Sequence, residues 1–143
     1  MIVGKLYTKE NEDELSNADF FRNDRTNSLL RGSINGDGDW IICNMLDTVE
    51  HAVLFIECTL QYDVYKIRTI MNENDCSYLY DGCIRMIINH IFHDSMSDII
   101  IEIDMEDTML VDALIDIEAG VLKNTYNYKK FSVNRDNFYQ KLC

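Results

Sequence analysis

The sequence predicts an α+β domain built on a mixed, mostly antiparallel central sheet of six to seven strands, flanked by helices. Three observations predict it. Val64–Met71 alternates apolar and polar residues, the period of a half-buried strand. Between Tyr78 and Phe92 the apolar positions Tyr80, Cys83, Ile84, Ile87, Ile88 and Ile91 form one stripe at helical spacing. Asp98–Asp104 then reads as a strand apolar on both faces, as an interior strand covered by helices would be. A strand-helix-strand unit of this length requires a right-handed crossover. With 143 residues, 47% of them hydrophobic, the chain reads as one domain, 1–143, able to bury a single core.

In chain order, Ile2–Tyr7 is a short opening strand. Asn11-Glu12-Asp13-Glu14 places acids in the first turn of a helix, where the helix dipole favours them. That helix is predicted to reach Phe20-Phe21, with a second helical piece over Ser28–Arg31. Asn35-Gly36-Asp37-Gly38-Asp39 opens like a calcium loop, but Trp40 stands where such a loop needs glycine and Leu46 where it needs glutamate. A turn leading into a strand is the better reading. Asp39–Asn44 and Ala52–Leu60 follow as strands joined by a turn at Asp47-Thr48, and with Val64–Met71 they make an antiparallel meander. Asn72–Ser77 is a polar loop leading into the long helix. Asp107 is a good N-cap for a helix carrying Leu110, Leu114 and Ile117 on one side and Asp112, Asp116 and Glu118 outward. Gly120 sits where a left-handed C-cap needs it. Val121–Tyr126, and Phe131–Val133 through Phe138-Tyr139, close the chain as strands.

The formal net charge of −12 argues against nucleic acid, whose phosphates would be repelled. No apolar run is long enough to span a bilayer, and no basic-then-apolar leader opens the chain, so no membrane is expected and the localisation reads as cytoplasmic. Cys43, Cys58, Cys76, Cys83 and Cys143 are odd in number and lack a CxxC pair, which reads as reduced thiols rather than a disulfide framework or zinc site. His90, His93 and Asp94 end the long helix without a further ligand at metal-site spacing, so no metal is expected. The charge is uneven: Lys123, Lys129, Lys130, Arg135 and Lys141 crowd the last part of an otherwise acidic chain. Such a chain can self-associate or dock on a protein partner. The absence of proline, with abundant isoleucine, asparagine and aspartate, suits an AT-rich coding genome such as that of a large DNA virus.

This order of elements resembles the GNAT superfamily, the acyl-CoA-dependent N-acyltransferases, and most of all the branch that acetylates N-terminal amines of ribosomal proteins. The resemblance covers nearly the whole chain as topology and is sharpest from Val64 to Val121. In that family the loop after the fourth strand carries arginine or glutamine, two residues, glycine, one residue, then glycine or alanine. Its backbone N–H groups and the following helix N-terminus hold the cofactor's pyrophosphate. The resemblance places this loop on Met71, Glu73, Cys76, Ser77 and Tyr78. Glu73, Cys76 and Tyr78 depart from the pattern: one brings a negative charge, and two bring side chains where the backbone must approach the phosphates. The family's asparagine at the start of the next helix maps near Met109, with Asp107 the nearest polar residue. Its tyrosine general acid maps onto Asp116, and an ionised aspartate cannot supply that proton near neutral pH. The phenylalanine after Gly120 is Val121, a conservative change.

Glu57 points away from Leu54, Ile56 and Cys58 and is the one candidate general base. The resemblance therefore implies a catalytically degenerate GNAT-fold protein that acts through a protein partner or as a homodimer, with no cofactor. The alternative is an active acetyl-CoA-dependent N-acetyltransferase acting on a protein or small-molecule amine.

Overall fold

A computed structural model of the chain describes residues 2–17, 38–47, 52–73 and 77–142. Strand β1 (Val3–Tyr7) leads through a short turn at Lys9–Asn11 into helix α1 (Glu12–Asn17). Strands β2 (Trp40–Leu46), β3 (Ala52–Gln61) and β4 (Val64–Asn72) form an antiparallel meander. Helix α2 (Ser77–Asp94) crosses to β5 (Ile99–Asp104), which pairs parallel with β4. Helix α3 (Thr108–Asp116), strands β6 (Gly120–Asn124) and β7 (Tyr128–Val133), and helix α4 (Arg135–Leu142) complete the order. One seven-stranded sheet results, ordered β1-β2-β3-β4-β5-β7-β6, antiparallel throughout except at β4–β5. The predicted fold class is the one observed.

The main core lies between the sheet and the helices α2, α3 and α4. Ile84, Ile87, Ile88 and Phe92 of α2 are fully buried against Cys43, Ile56 and Ile101 of the sheet, as the helical stripe requires. A smaller cluster on the opposite face joins Tyr7, Trp40, Ile42 and Phe55 to Leu15 of α1. Strand β5 buries Ile99, Ile101 and Ile103, whereas Ile100 and Glu102 are only half-buried. Among the described residues, helices cover β5 on the face that carries Ile99, Ile101 and Ile103.

The end of α3 is closed by Glu118, not by Gly120. Glu118 takes the left-handed conformation at φ 59°, and no described glycine has positive φ. The Glu118 and Ala119 N–H groups bond the carbonyls of Ile115 and Leu114 at 2.9 and 3.1 Å, a Schellman closure. Gly120 is the first residue of β6 instead. The predicted strand through Phe138-Tyr139 is also wrong beyond Val133. Asn134 caps a helix there, its side-chain oxygen accepting the Asn137 N–H at 2.9 Å, and Phe138 turns inward against Phe92 at 5.8 Å between ring centroids. The helical piece at Ser28–Arg31, the extension to Phe20-Phe21, the turn over Asn35–Asp37 and the turn residue Thr48 lie outside the described residues.

Candidate functional site

Strands β4 and β5 form ladder pairs only from Val64–Ile100 to Ile67–Ile103. Beyond Ile67, β4 runs on to Asn72 while β5 ends at Asp104. The β3–β4 register contributes to this divergence. Phe55 pairs with Met71 and Ile56 with Thr69, so Ile70 is an extra residue in β4, a bulge that bends the strand and increases its twist. The opened cleft has a volume of about 470 Å³ and is walled by Arg68, Thr69 and Asn72 of β4, Tyr80 of α2, and the Asp104–Met109 turn.

The Asp107 side chain crosses the cleft. Asp107 holds the N-cap position of α3, yet its carboxylate makes no capping hydrogen bond to that helix. It turns instead to β4, where the Thr69 N–H donates to Asp107 Oδ2 at 2.8 Å and the Thr69 hydroxyl donates to Oδ1 at 3.0 Å. Thr69 Oγ1 also lies 3.0 Å from the Tyr80 hydroxyl. A threonine hydroxyl has one proton, and here the carboxylate takes it, so the buried Tyr80 phenol is the donor to Thr69. Hydrogen bonds to an ionised group contribute about 1.5–3 kcal/mol each where water is excluded, and less at this half-buried position. Asn72 Nδ2 bridges to Met109 Sδ at 3.6 Å and spans the same gap further along. A β4 backbone donor facing the cleft is thus already bound by the chain's own carboxylate.

The sequence-predicted positions are spread around this cleft. Met71 lies on β4 and packs toward the Phe55 cluster. Glu73 continues the β3 ladder through its N–H to the Val53 carbonyl at 2.8 Å. Ser77 and Tyr78 open α2, with Tyr78 63% exposed. Cys76 lies outside the described residues. Asp81 bonds Arg85 one turn along at 3.0 Å. Asp104, Glu106 and Asp107 contribute three carboxylates to the cleft wall, against the one guanidinium of Arg68.

Glu57 is buried at 5% exposure on the sheet face away from α2, as its strand position predicts. Arg68, its cross-strand neighbour, donates Nε and Nη2 to Glu57 Oε2 at 3.0 and 2.9 Å. The carboxylate is therefore committed to an ion pair. Tyr7 and Asn44 are buried on the same face, and burial pushes the Tyr7 phenol up against the opposing pull of the Lys5 ammonium. Cys43, Cys58 and Cys83 are buried free thiols. No cluster of three metal-ligating side chains occurs among the described residues, and no described helix is long and apolar enough to cross a membrane. Sequence reasoning missed the Asp107–Thr69–Tyr80 chain because it depends on how the crossover folds back. Only the capping aspartate itself was visible.

No protein-family profile matches the chain, and no curated protein matches its sequence. Solved structures do. The chain is similar to NAA60 of Arabidopsis thaliana in complex with acetyl-CoA, at 8% identity and a TM-score of 0.61, over 95% of this chain and 99% of that one. It is similar to the N-acetyltransferase PseH of Campylobacter jejuni in complex with acetyl coenzyme A, at 8% identity and 0.57, over 93% and 99%. It is also similar to spermidine N-acetyltransferase of Vibrio cholerae with CoA and spermine, at 11% identity and 0.55, over 96% and 98%. The fold is that of the GNAT acetyltransferases.

Proposed function

We propose that this chain is a GNAT-fold protein that has given up acyl-CoA chemistry and acts by binding a protein partner. The Asp107 carboxylate on Thr69 carries this reading. An acyl-CoA arm entering between β4 and β5 would offer amide carbonyls, which need backbone donors. Here a donor facing the cleft is held by an anion that the incoming acceptor would have to displace. The diphosphate would then approach a wall carrying Asp104, Glu106 and Asp107. Two like charges about 4 Å apart repel by roughly 1 kcal/mol even in bulk water, and by more in a partly desolvated cleft. Glu73 at the head of the loop adds to that potential. The residues present do not fit the cofactor.

The similarity to solved acetyltransferases supports a second reading, an active N-acetyltransferase acting on a protein or small-molecule amine. Isothermal titration of the full chain with acetyl-CoA separates the two. The binding reading expects no saturable heat at roughly millimolar ligand, a Kd above about 1 mM and so a binding free energy weaker than about −4 kcal/mol. Asp107→Ala combined with Glu73→Arg should gain measurable affinity, because it frees the Thr69 donor and reverses the loop charge. Micromolar binding by the unaltered chain would overturn the binding reading in favour of the enzyme.

A further inference from the structure

The sheet ends at β6, which pairs only with β7 among the described residues. All five residues of β6 are exposed, Val121 and Leu122 at more than half of their surface. Ile115 of α3 and Tyr126 of the turn that follows β6 are exposed as well. An edge strand presents unpaired N–H and C=O groups, and proteins ordinarily guard it with charge or cover. The opposite edge is guarded in this way: Lys5 in the middle of β1 is bonded to Glu14 of α1. Among the described residues, strand β6 is guarded by its shortness, by Lys123 near its end and by a bulge at Leu122, where the register shifts between Val121 and Lys123.

Charge decides what suits this edge. Strands β6 and β7 together carry Lys123, Lys129 and Lys130 and no acid, within a chain of net charge −12. Lys123 and Lys130 are cross-strand partners, and both ammonium groups lie within 6 Å of the Tyr128 ring, at 5.8 and 5.6 Å. Glu102 of β5, at 4.0 Å from Lys130, balances only the inner side of the pair. The nearest acids in sequence, Asp116 and Glu118, precede the strand at its Gly120 end. The lysines of the edge thus lie toward its Asn124 end, where Asp104 faces Tyr128 two strands in.

We infer that the β6 edge is a docking site for an extended acidic segment of a partner protein. The segment adds as an eighth strand, with apolar side chains on Val121 and Leu122 and carboxylates beside Lys123 and Lys130. Main-chain pairing supplies affinity and the flanking charges select the partner. A second copy of this chain is disfavoured at this edge because it would bring the same lysines face to face. Nucleic acid could use the lysines but not the apolar pair, and the rest of the chain repels it. This inference rests on the binding reading and names its partner. Its test reads the β6 edge, whereas the acetyl-CoA titration reads the cleft, so either can fail alone.

The experiment titrates the full chain into a fluorescein-labelled peptide of alternating glutamate and valine, read by anisotropy, with amide chemical shifts mapping the contact. The expected result is saturable binding that shifts the amides of residues 120–124. It should weaken about tenfold in Lys123→Glu/Lys130→Glu and fade in half-molar salt, where screening is nearly complete. An unchanged spectrum away from the edge shows that the variant is folded. The inference is overturned by absence of binding, by shifts elsewhere on the surface, or by equal binding of a lysine-valine peptide. Preferential binding of an oligo-thymidylate, or a concentration-dependent dimer through the same amides, overturns it as well.

Discussion

Single residues in this fold are decided by what reaches them from far along the chain. Asp107 has every local feature of a capping residue, and the sequence reads it so; the structure spends its carboxylate on Thr69, 38 residues away. Nothing in the spacing of either residue announces the other, since the meeting point is created by the crossover and by the Ile70 bulge. Glu57 was readable as to face but not as to partner, because pairing with Arg68 depends on strand register. The buried thiols carry a consequence for pH. Burial pushes the Cys58 thiol up well above the usual thiol range, and a hydrogen bond with Cys43 followed by burial does the same for Cys83. A raised native pKa means that stability is fully present below the unfolded value of about 8.5 and is lost as pH rises above it, where the unfolded chain ionises first. Thermal melts should therefore show the midpoint level between pH 7 and 8 and falling steadily from about pH 9 to 11. Cys58→Ala/Cys83→Ala should flatten part of that fall.

At the scale of elements, the periodic signals were reliable and the terminators were not. The stripe on α2 and the alternation of β4 are written in adjacent residues, and both elements stand where the sequence places them, within a residue or two at their ends. The final helix was misread as strand because Phe131 and Val133 alternate correctly and Phe138-Tyr139 look like more of the same. The informative residue was Asn134, whose side chain stops the strand and starts α4. Helix α2 is the element on which the sheet depends, with Ile84, Ile87 and Ile88 sealed from solvent. Ile88→Ala leaves a cavity in the main core, where Ile88 is fully buried, so chemical denaturation should show a loss of about 2–5 kcal/mol. His93→Ala, on the exposed last turn of the same helix, should stay within about 0.5 kcal/mol of the parent. Equal losses from the two changes would mean that α2 is not packed as described.

Across the whole molecule, the fold class was legible and the cleft was not. Seven strands and the parallel β4–β5 pair follow from patterns that local sequence carries, together with the handedness of the crossover. The cleft arises from one bulged residue and from the difference in length between two neighbouring strands, quantities that no window of sequence contains. Charge was readable in total but not in placement: Lys123, Lys129 and Lys130 gather at one end of the sheet because β7 inserts between β5 and β6 and leaves β6 as the edge. The Asp107 carboxylate also has a temporal meaning. It acts as one further rung of the ladder after β5 has ended, so the Thr69 amide proton can meet solvent only when α3 lifts from the sheet. In deuterium oxide that proton should be retained as long as those of Tyr65 and Ile67, although the β5 ladder has ended before it. Asp107→Asn, which keeps an acceptor but loses the charge, should shorten its lifetime about tenfold for each 1.4 kcal/mol by which the contact weakens, leaving the other two unchanged. A Thr69 proton that vanishes within the dead time of the parent chain would mean that α3 is not seated there, and that the cleft stands open.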